Sequence, residues 1–292
     1  MMDINEIIKR VKRIEIKSRR KASDLFMGEY NSSFKGRGMI FLEIRPYQYG
    51  DDVRNIDWNK TARYDEVFVK IFEEEREQTL FLMVDISASE FYGTRKQIKL
   101  ETIAEICATL AFSAITYNDR VGLILYSDRV EKFIPPKKGK QHVLRIIREL
   151  ITTEAKSKQT NLSNSLEELM KKVKKRTNIF IFSDFIDASD YEKNIRVLAK
   201  KHQLTGVRIY DEKEGEFPDV GMLNIQDNET GEIRLINTSS PEVRKMYKQY
   251  YLDLDKRFEG IFQKNQSGHL KIRNDEDYVK PLLNYFKSHK NR

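Results

Sequence analysis

Two short runs, LFLMVD at 80–85 and NIFIFSD at 178–184, constrain the fold of this chain more than any other feature. Each is almost wholly apolar and each ends in aspartate. A strand that is apolar on both faces must be covered on both, which is the habit of a parallel sheet held between helices. The reading is therefore a mainly parallel α/β sheet with these two strands central and adjacent. In such sheets ligands sit beyond the carboxyl ends of the strands, near a switch in strand order. Asp85 and Asp184 both fall at that end of their strands.

The rest of the chain from residue 79 keeps the alternation. Helical spacing covers 96–117, 140–152, 162–175, 190–201, 241–264 and 275–289. Strand patterns occupy 121–127, 129–134, 203–210 and 268–272, with Pro135-Pro136 expected to close the second of these. Two short strands, 221–226 and 232–236, flank the turn sequence DNETG. Right-handed crossovers leave few topologies for such an order.

Residues 1–78 read differently. Ile4, Ile7, Ile8, Val11 and Ile14 recur at helical spacing, so 3–21 is an amphipathic helix with a basic second face. It can pack on its own domain or receive a partner. Beyond it, GMIFLEIR and the alternating EVFVKIF (66–72) are strands, separated by a turn through Pro46 and Gly50. The expected division is an N-terminal helix and β-rich extension at 1–78, then an α/β domain at 79–292 with a β-hairpin insertion near 211–239.

No apolar run reaches the ~18 residues of a membrane span, and the first residues lack the apolar core of a signal peptide. A cytoplasmic location is the expectation. The single cysteine, Cys107, lies in a helical pattern, can form no internal disulfide and reads as a buried thiol. The net charge of +8 comes from 53 basic and 45 acidic residues with the signs well mixed. No nucleic-acid-binding signature accompanies it, so a solvated face or an acidic protein partner fits better.

Chemistry concentrates after the first aspartate-ended strand. Asp85, Ser87 and Ser89 stand at alternate positions. Thr160 lies in a loop just before a helix, and Asp184 follows the other central strand. Two carboxylates and three hydroxyls suit one small hard cation, Mg2+ or Mn2+, with water or a partner completing the shell. Such an ion would favour an incoming carboxylate. Taken singly, Ser87 and Thr160 can also be helix N-caps. Catalytic readings have less to stand on. His142, His202, His269 and His289 match no zinc or triad pattern. GRG (36–38) lacks the lysine-serine of a phosphate loop. A metal-dependent phosphoester hydrolase and a nucleic-acid binder using the basic helix are the alternatives.

A second cluster holds Arg45, Asp51, Asp52, Arg54, Asp57, Trp58 and Arg63. It is either a docking surface anchored by Trp58 or an internal network of ion pairs.

The DISAS segment, the threonine of QTNL and the aspartate of FSD resemble the metal-ion-dependent adhesion site of von Willebrand factor A-type domains. The upstream text is similar to the bacterial domain of unknown function 58 family: GRG (36–38), RPYQYGDDVRNIDW (45–58), TAR (61–63) and FEEER (72–76). KLE (99–101), DRVGL (119–123), PPKKG (135–139), SDF (183–185) and DNETG (227–231) extend the similarity along nearly the whole chain. The resemblance implies a von Willebrand factor A-like fold and a metal-dependent, non-enzymatic protein-binding role. It further implies a MoxR-type AAA+ ATPase, or a client of one, as partner; read from the residues themselves, Trp58, Arg54, Arg63 and Glu90 are the candidate contacts. Glu90 stands where a hydrophobic residue is frequent, and Asn161 where an acidic residue is common.

Overall fold

The structure, a computed structural model, describes residues 4–26, 38–64, 66–75, 78–87, 96–157, 159–187, 189–226 and 232–289. The chain divides into two compact units, one of residues 34–77 and one of residues 1–33 with 78–292.

The smaller unit is built on an antiparallel pair, β1 (Gly38–Pro46) and β2 (Phe68–Glu75). A 3-10 turn at Val53–Asn55 and a helical turn, α2 (Trp58–Thr61), lie between them. Asp52 and Asp57 cap these turns by accepting from the backbone N–H of Arg54 and Lys60, as short polar side chains do at helix starts.

The larger unit carries a six-stranded sheet in the order β10-β7-β6-β3-β4-β5. Its strands are β3 (Thr79–Asp85), β4 (Arg120–Tyr126), β5 (Val130–Lys137), β6 (Asn178–Ser183), β7 (Gln203–Tyr210) and β10 (Gly268–Arg273). All neighbours are parallel except β4 and β5. The two apolar runs are adjacent, as their lack of any polar face requires: β3 pairs with β6 from Leu80↔Asn178 to Val84↔Phe182. Among the strands, β5 departs from expectation. It runs through Pro135 and Pro136 instead of ending there. It is an edge strand, where a missing N–H breaks no ladder, and its register shifts as it passes the prolines.

Helices cover both faces. On one side α3 (Lys96–Thr116), α4 (Lys140–Thr152) and α8 (Val279–Ser288) pack together with α1 (Ile4–Phe26). On the other lie α5 (Leu162–Lys172), α6 (Glu192–Ala199) and α7 (Pro241–Lys264). There Phe81, Met83, Ile179 and Ile181 of the sheet meet Leu166, Ile195, Phe258 and Phe262 of these helices. Each such side chain taken from water contributes about 1.5–3 kcal/mol. Gly206 in β7 lies directly under this layer: a Cβ there would come within 2.5 Å of the Phe262 ring. β8 (Met222–Gln226) and β9 (Ile233–Asn237) form a separate antiparallel pair between β7 and α7.

The division differs from the sequence expectation at the N-terminus. The first helix groups with the larger unit and not with the β-rich extension. Its apolar stripe explains this: Ile14 and Ala22 are buried, and Ser18 donates from Oγ to the Glu105 carbonyl of α3 at 3.1 Å. Its basic residues follow, with Arg13 paired to Glu101, Lys17 to Glu105 and Lys21 to Asp277. No helix among the described residues is long and apolar enough to cross a membrane.

Candidate functional site

Strand order reverses between β3 and β6. From β3 the chain crosses through α3 to β4 on one side, and from β6 it crosses through α6 to β7 on the other. Their carboxyl ends therefore open into a crevice, the usual ligand position in such sheets. Asp85 closes β3 and Asp184 follows β6, so the topology brings the two carboxylates to one place.

Both are buried, at 0% and 4% exposure. Asp85 Oδ1 accepts from Ser87 N at 2.9 Å, and Oδ2 accepts from Ser183 Oγ at 2.9 Å. Asp184 Oδ1 accepts from Ile186 N at 2.9 Å. Burial pushes the Asp85 carboxyl up to about 7, and the negative charge of Asp184 pushes in the same direction. The Ser87 and Ser183 hydrogen bonds offset this only in part. Two carboxylates buried at one sheet edge make full ionisation of both costly, a cost that a bound cation would lower.

Thr160 comes to the same edge from the loop before α5. That loop is anchored from the β4–β5 hairpin. Glu131 Oε1 accepts from Lys156 N at 3.1 Å and Ser157 N at 3.4 Å, and the Ser127 carbonyl accepts from Asn161 N at 3.1 Å. The expectation that Thr160 could be a helix cap is not met, since Asn161 caps α5 by accepting from Asn164 N. Thr160 Oγ1 is shut off from solvent and makes no hydrogen bond among the described residues. Leaving a buried hydroxyl unsatisfied costs about 1–3 kcal/mol, so its lone pairs stand available to a ligand. Ser87 is fully buried beside Asp85. Ser89 and Glu90 lie outside the described residues. The donors that are placed, two carboxylates with hydroxyls, suit a hard oxygen-seeking ion and offer nothing to a soft one. No group of three His, Cys, Asp or Glu side chains able to hold a metal occurs among the described residues.

Two residues at this edge were not legible as functional. Ser183 donates to Asp85 and accepts from Phe185 N at 3.0 Å, linking the two central strands. Phe185 itself has φ 55, a left-handed conformation that bulky residues rarely adopt. It is held there by burial against Phe258, with ring centroids 4.5 Å apart. Asp187 is buried and accepts from Leu162 N at 2.6 Å, the first residue of α5. An Asp three residues beyond the strand-ending Asp184 was the only available signal.

The cluster in the smaller unit resolves into local pairs. Arg45 grips Asp51 through two 2.8 Å bonds, and Arg54 folds back on Asp52. The Arg45 guanidinium holds the Asp51 carboxyl below its ordinary value, and Arg54 holds Asp52 at about 2. Trp58 takes no part and is 68% exposed, and Arg63 is exposed as well.

Among known families, the one described as "Protein of unknown function DUF58" matches residues 43–257. "Uncharacterized protein Rv1480" of Mycobacterium tuberculosis is 28% identical over 223 residues, 76% of this chain and 70% of that protein. Among solved structures, the conserved hypothetical protein BatB from Bacteroides thetaiotaomicron is similar over 74% of this chain and 100% of its own, at 12% identity and a TM-score of 0.47. The SpRpn10 VWA domain is similar over 71% of this chain and 94% of its own, at 14% identity and a TM-score of 0.39.

Proposed function

This chain belongs to the DUF58 family, and from that premise we propose that it is a cation-dependent protein-binding module which works by association and not by turnover. The observation that carries the reading is a buried pair of carboxylates, Asp85 and Asp184, at the strand-order switch, with a buried Thr160 hydroxyl at the same sheet edge that has no hydrogen-bond partner among the described residues. Asp85, Ser87, Ser89, Thr160 and Asp184 would hold Mg2+ or Mn2+. When bound, the ion supplies an electrophilic centre to which a carboxylate of another protein can bind.

The chain's own residues do the remaining work. Apolar strands wall the carboxylates from bulk water, which strengthens every charge interaction at the edge. Ser87 and Ser183 orient Asp85 through its two oxygens. In the smaller unit, Trp58 offers an exposed aromatic anchor of the type that dominates interface energetics. Arg54, Arg63 and Glu90 are the charged residues proposed to act with it. The partner we propose, on the family resemblance, is a MoxR-type AAA+ ATPase or its client.

The test is calorimetric titration of Mn2+ into the wild type and Asp85→Ala at pH 8. Heats of binding in the wild type that vanish in the variant are expected; equal heats in both sink the site. Capture of the partner should then be lost on adding a chelator and restored by excess Mn2+.

A further inference from the structure

The cation site proposed above draws on three chain segments that are far apart in sequence, and an ion of this kind tolerates little misplacement of its ligands. Something must set the Thr160 segment against the Asp184 segment. Asp187 and Ser189 make direct hydrogen bonds between these two segments, and Ser163 adds bonds to the Asp190 carbonyl and to Asn194 one turn further on. Asp187 Oδ2 accepts from Leu162 N at 2.6 Å, two residues after Thr160. The same oxygen accepts from Ser189 Oγ at 2.8 Å, and Oδ1 accepts from Ser189 N at 2.7 Å. Ser163 N reaches Ser189 Oγ at 3.4 Å. From the far side, Arg257 of α7 donates to the carbonyls of Asp187 and Ser189 at 3.4 and 3.2 Å.

Asp187 is not the cap residue of α5. The N-cap of α5 is already filled by Asn161, whose side chain accepts from Asn164 N. Asp187 adds a second acceptor to the same helix start, from another loop, and it does so while buried. A carboxylate there is favoured by the helix dipole and by the free N–H groups of the first turn. Both its oxygens are engaged by N–H and O–H donors, so its geometry is fully specified. We infer that Asp187 is a positioning residue of the cation site: it clamps the start of α5 to the β6–α6 loop and so sets the Thr160 hydroxyl against Asp184. The inference rests on the cation-site reading. Groups that orient metal ligands in this way cost roughly 10–100-fold in affinity when removed.

The experiment is a double-mutant cycle on Mn2+ affinity, read by calorimetry and by the Mn2+ electron paramagnetic resonance spectrum. It uses the full chain as wild type, Asp187→Ala, Thr160→Val and the double variant. Each single substitution should weaken Mn2+ by about 10–100-fold. The double variant should lose no more than about threefold beyond the weaker single, because both changes remove the same placed hydroxyl. The bound-ion spectra of Asp187→Ala and Thr160→Val should match each other and differ from wild type. Losses that multiply, or an Asp187→Ala affinity within about twofold of wild type, overturn the inference while leaving the site intact. A thermal midpoint that falls with Mn2+ affinity unchanged marks a role in folding alone and overturns it too. If Asp187→Ala does not fold, Asp187→Asn replaces it in the cycle, keeping one carbonyl acceptor and the side-chain shape. A wild type that binds no Mn2+ removes the cation site, and this inference with it.

Discussion

Aspartates behave in opposite ways in the two units. In the smaller unit Asp51 and Asp52 lie at the surface, each held by an arginine within a few residues, and both carboxyls are pulled down. At the sheet edge Asp85 is buried with Asp184 as its charged neighbour, and its carboxyl is pushed up to about 7. One set of charges is complete within the chain. The other is buried at the sheet edge, where solvent screens charge weakly. Charge density in the sequence and burial in the fold thus mark different places: the dense Arg/Asp cluster is paired locally at the surface, and the sparse pair lies buried at the sheet edge.

The contrast can be tested most strongly with pH. Asp85 carries a folded-state value of about 7 against an ordinary 3.8. An acid raised in this way is fully compatible with the fold below about pH 4. Stability should then fall as pH climbs from 4 to 7 and level off above, because the unfolded chain releases the proton more readily. The loss is on the order of 4 kcal/mol at most, from about three pH units at 1.4 kcal/mol each. Thermal unfolding in chelator across pH 5–8.5 should show the decline. Excess Mn2+ should abolish it, since the ion binds the ionised form. A flat profile in chelator would remove the contrast between the units.

Asp85→Asn should reverse the usual direction of a core substitution. At pH 8 in chelator it removes a buried charge, and a gain of about 1–2 kcal/mol is expected after allowing for one poorer hydrogen bond. The same variant should lose the Mn2+-induced rise in midpoint. A variant less stable than wild type at pH 8 would mean that another group already neutralises Asp85.

Smaller still is the effect of Asp52→Asn. The pair it breaks is exposed, and such pairs contribute little. The midpoint at pH 7 should stay within about 1 °C of wild type. Asp52 is depressed, so what it adds is present above pH 4 and disappears only in acid, as pH falls through about 2. A drop of several degrees at neutral pH would give this cluster a structural weight that its exposure does not explain.

Much of the architecture was legible in the residues. LFLMVD and NIFIFSD have no polar face, so no arrangement except a doubly covered position was open to them, and they are neighbours in the sheet. The helical spacing read over 96–117 ends in the structure at Thr116, and Asn118 just beyond it takes φ 64, the left-handed turn that asparagine tolerates. Pro135-Pro136 misled because a strand-breaking signal depends on whether the strand is central or at an edge, and that is a property of the sheet. The first helix was separable from the larger unit only on paper, since its partner face on α3 lies about ninety residues away in sequence.

Local chemistry settled which segments could be strands, which would turn, and that Asp85 and Asp184 would each stand at a strand's end. Those properties follow from side-chain polarity and spacing within a few residues. That the two carboxylates are buried together, that Ser183 braces one of them, and that Asp187 reaches from one loop to the start of α5 could not be read that way. Each depends on which strands become neighbours and on how much water is excluded between them, and both arise only when distant segments pack.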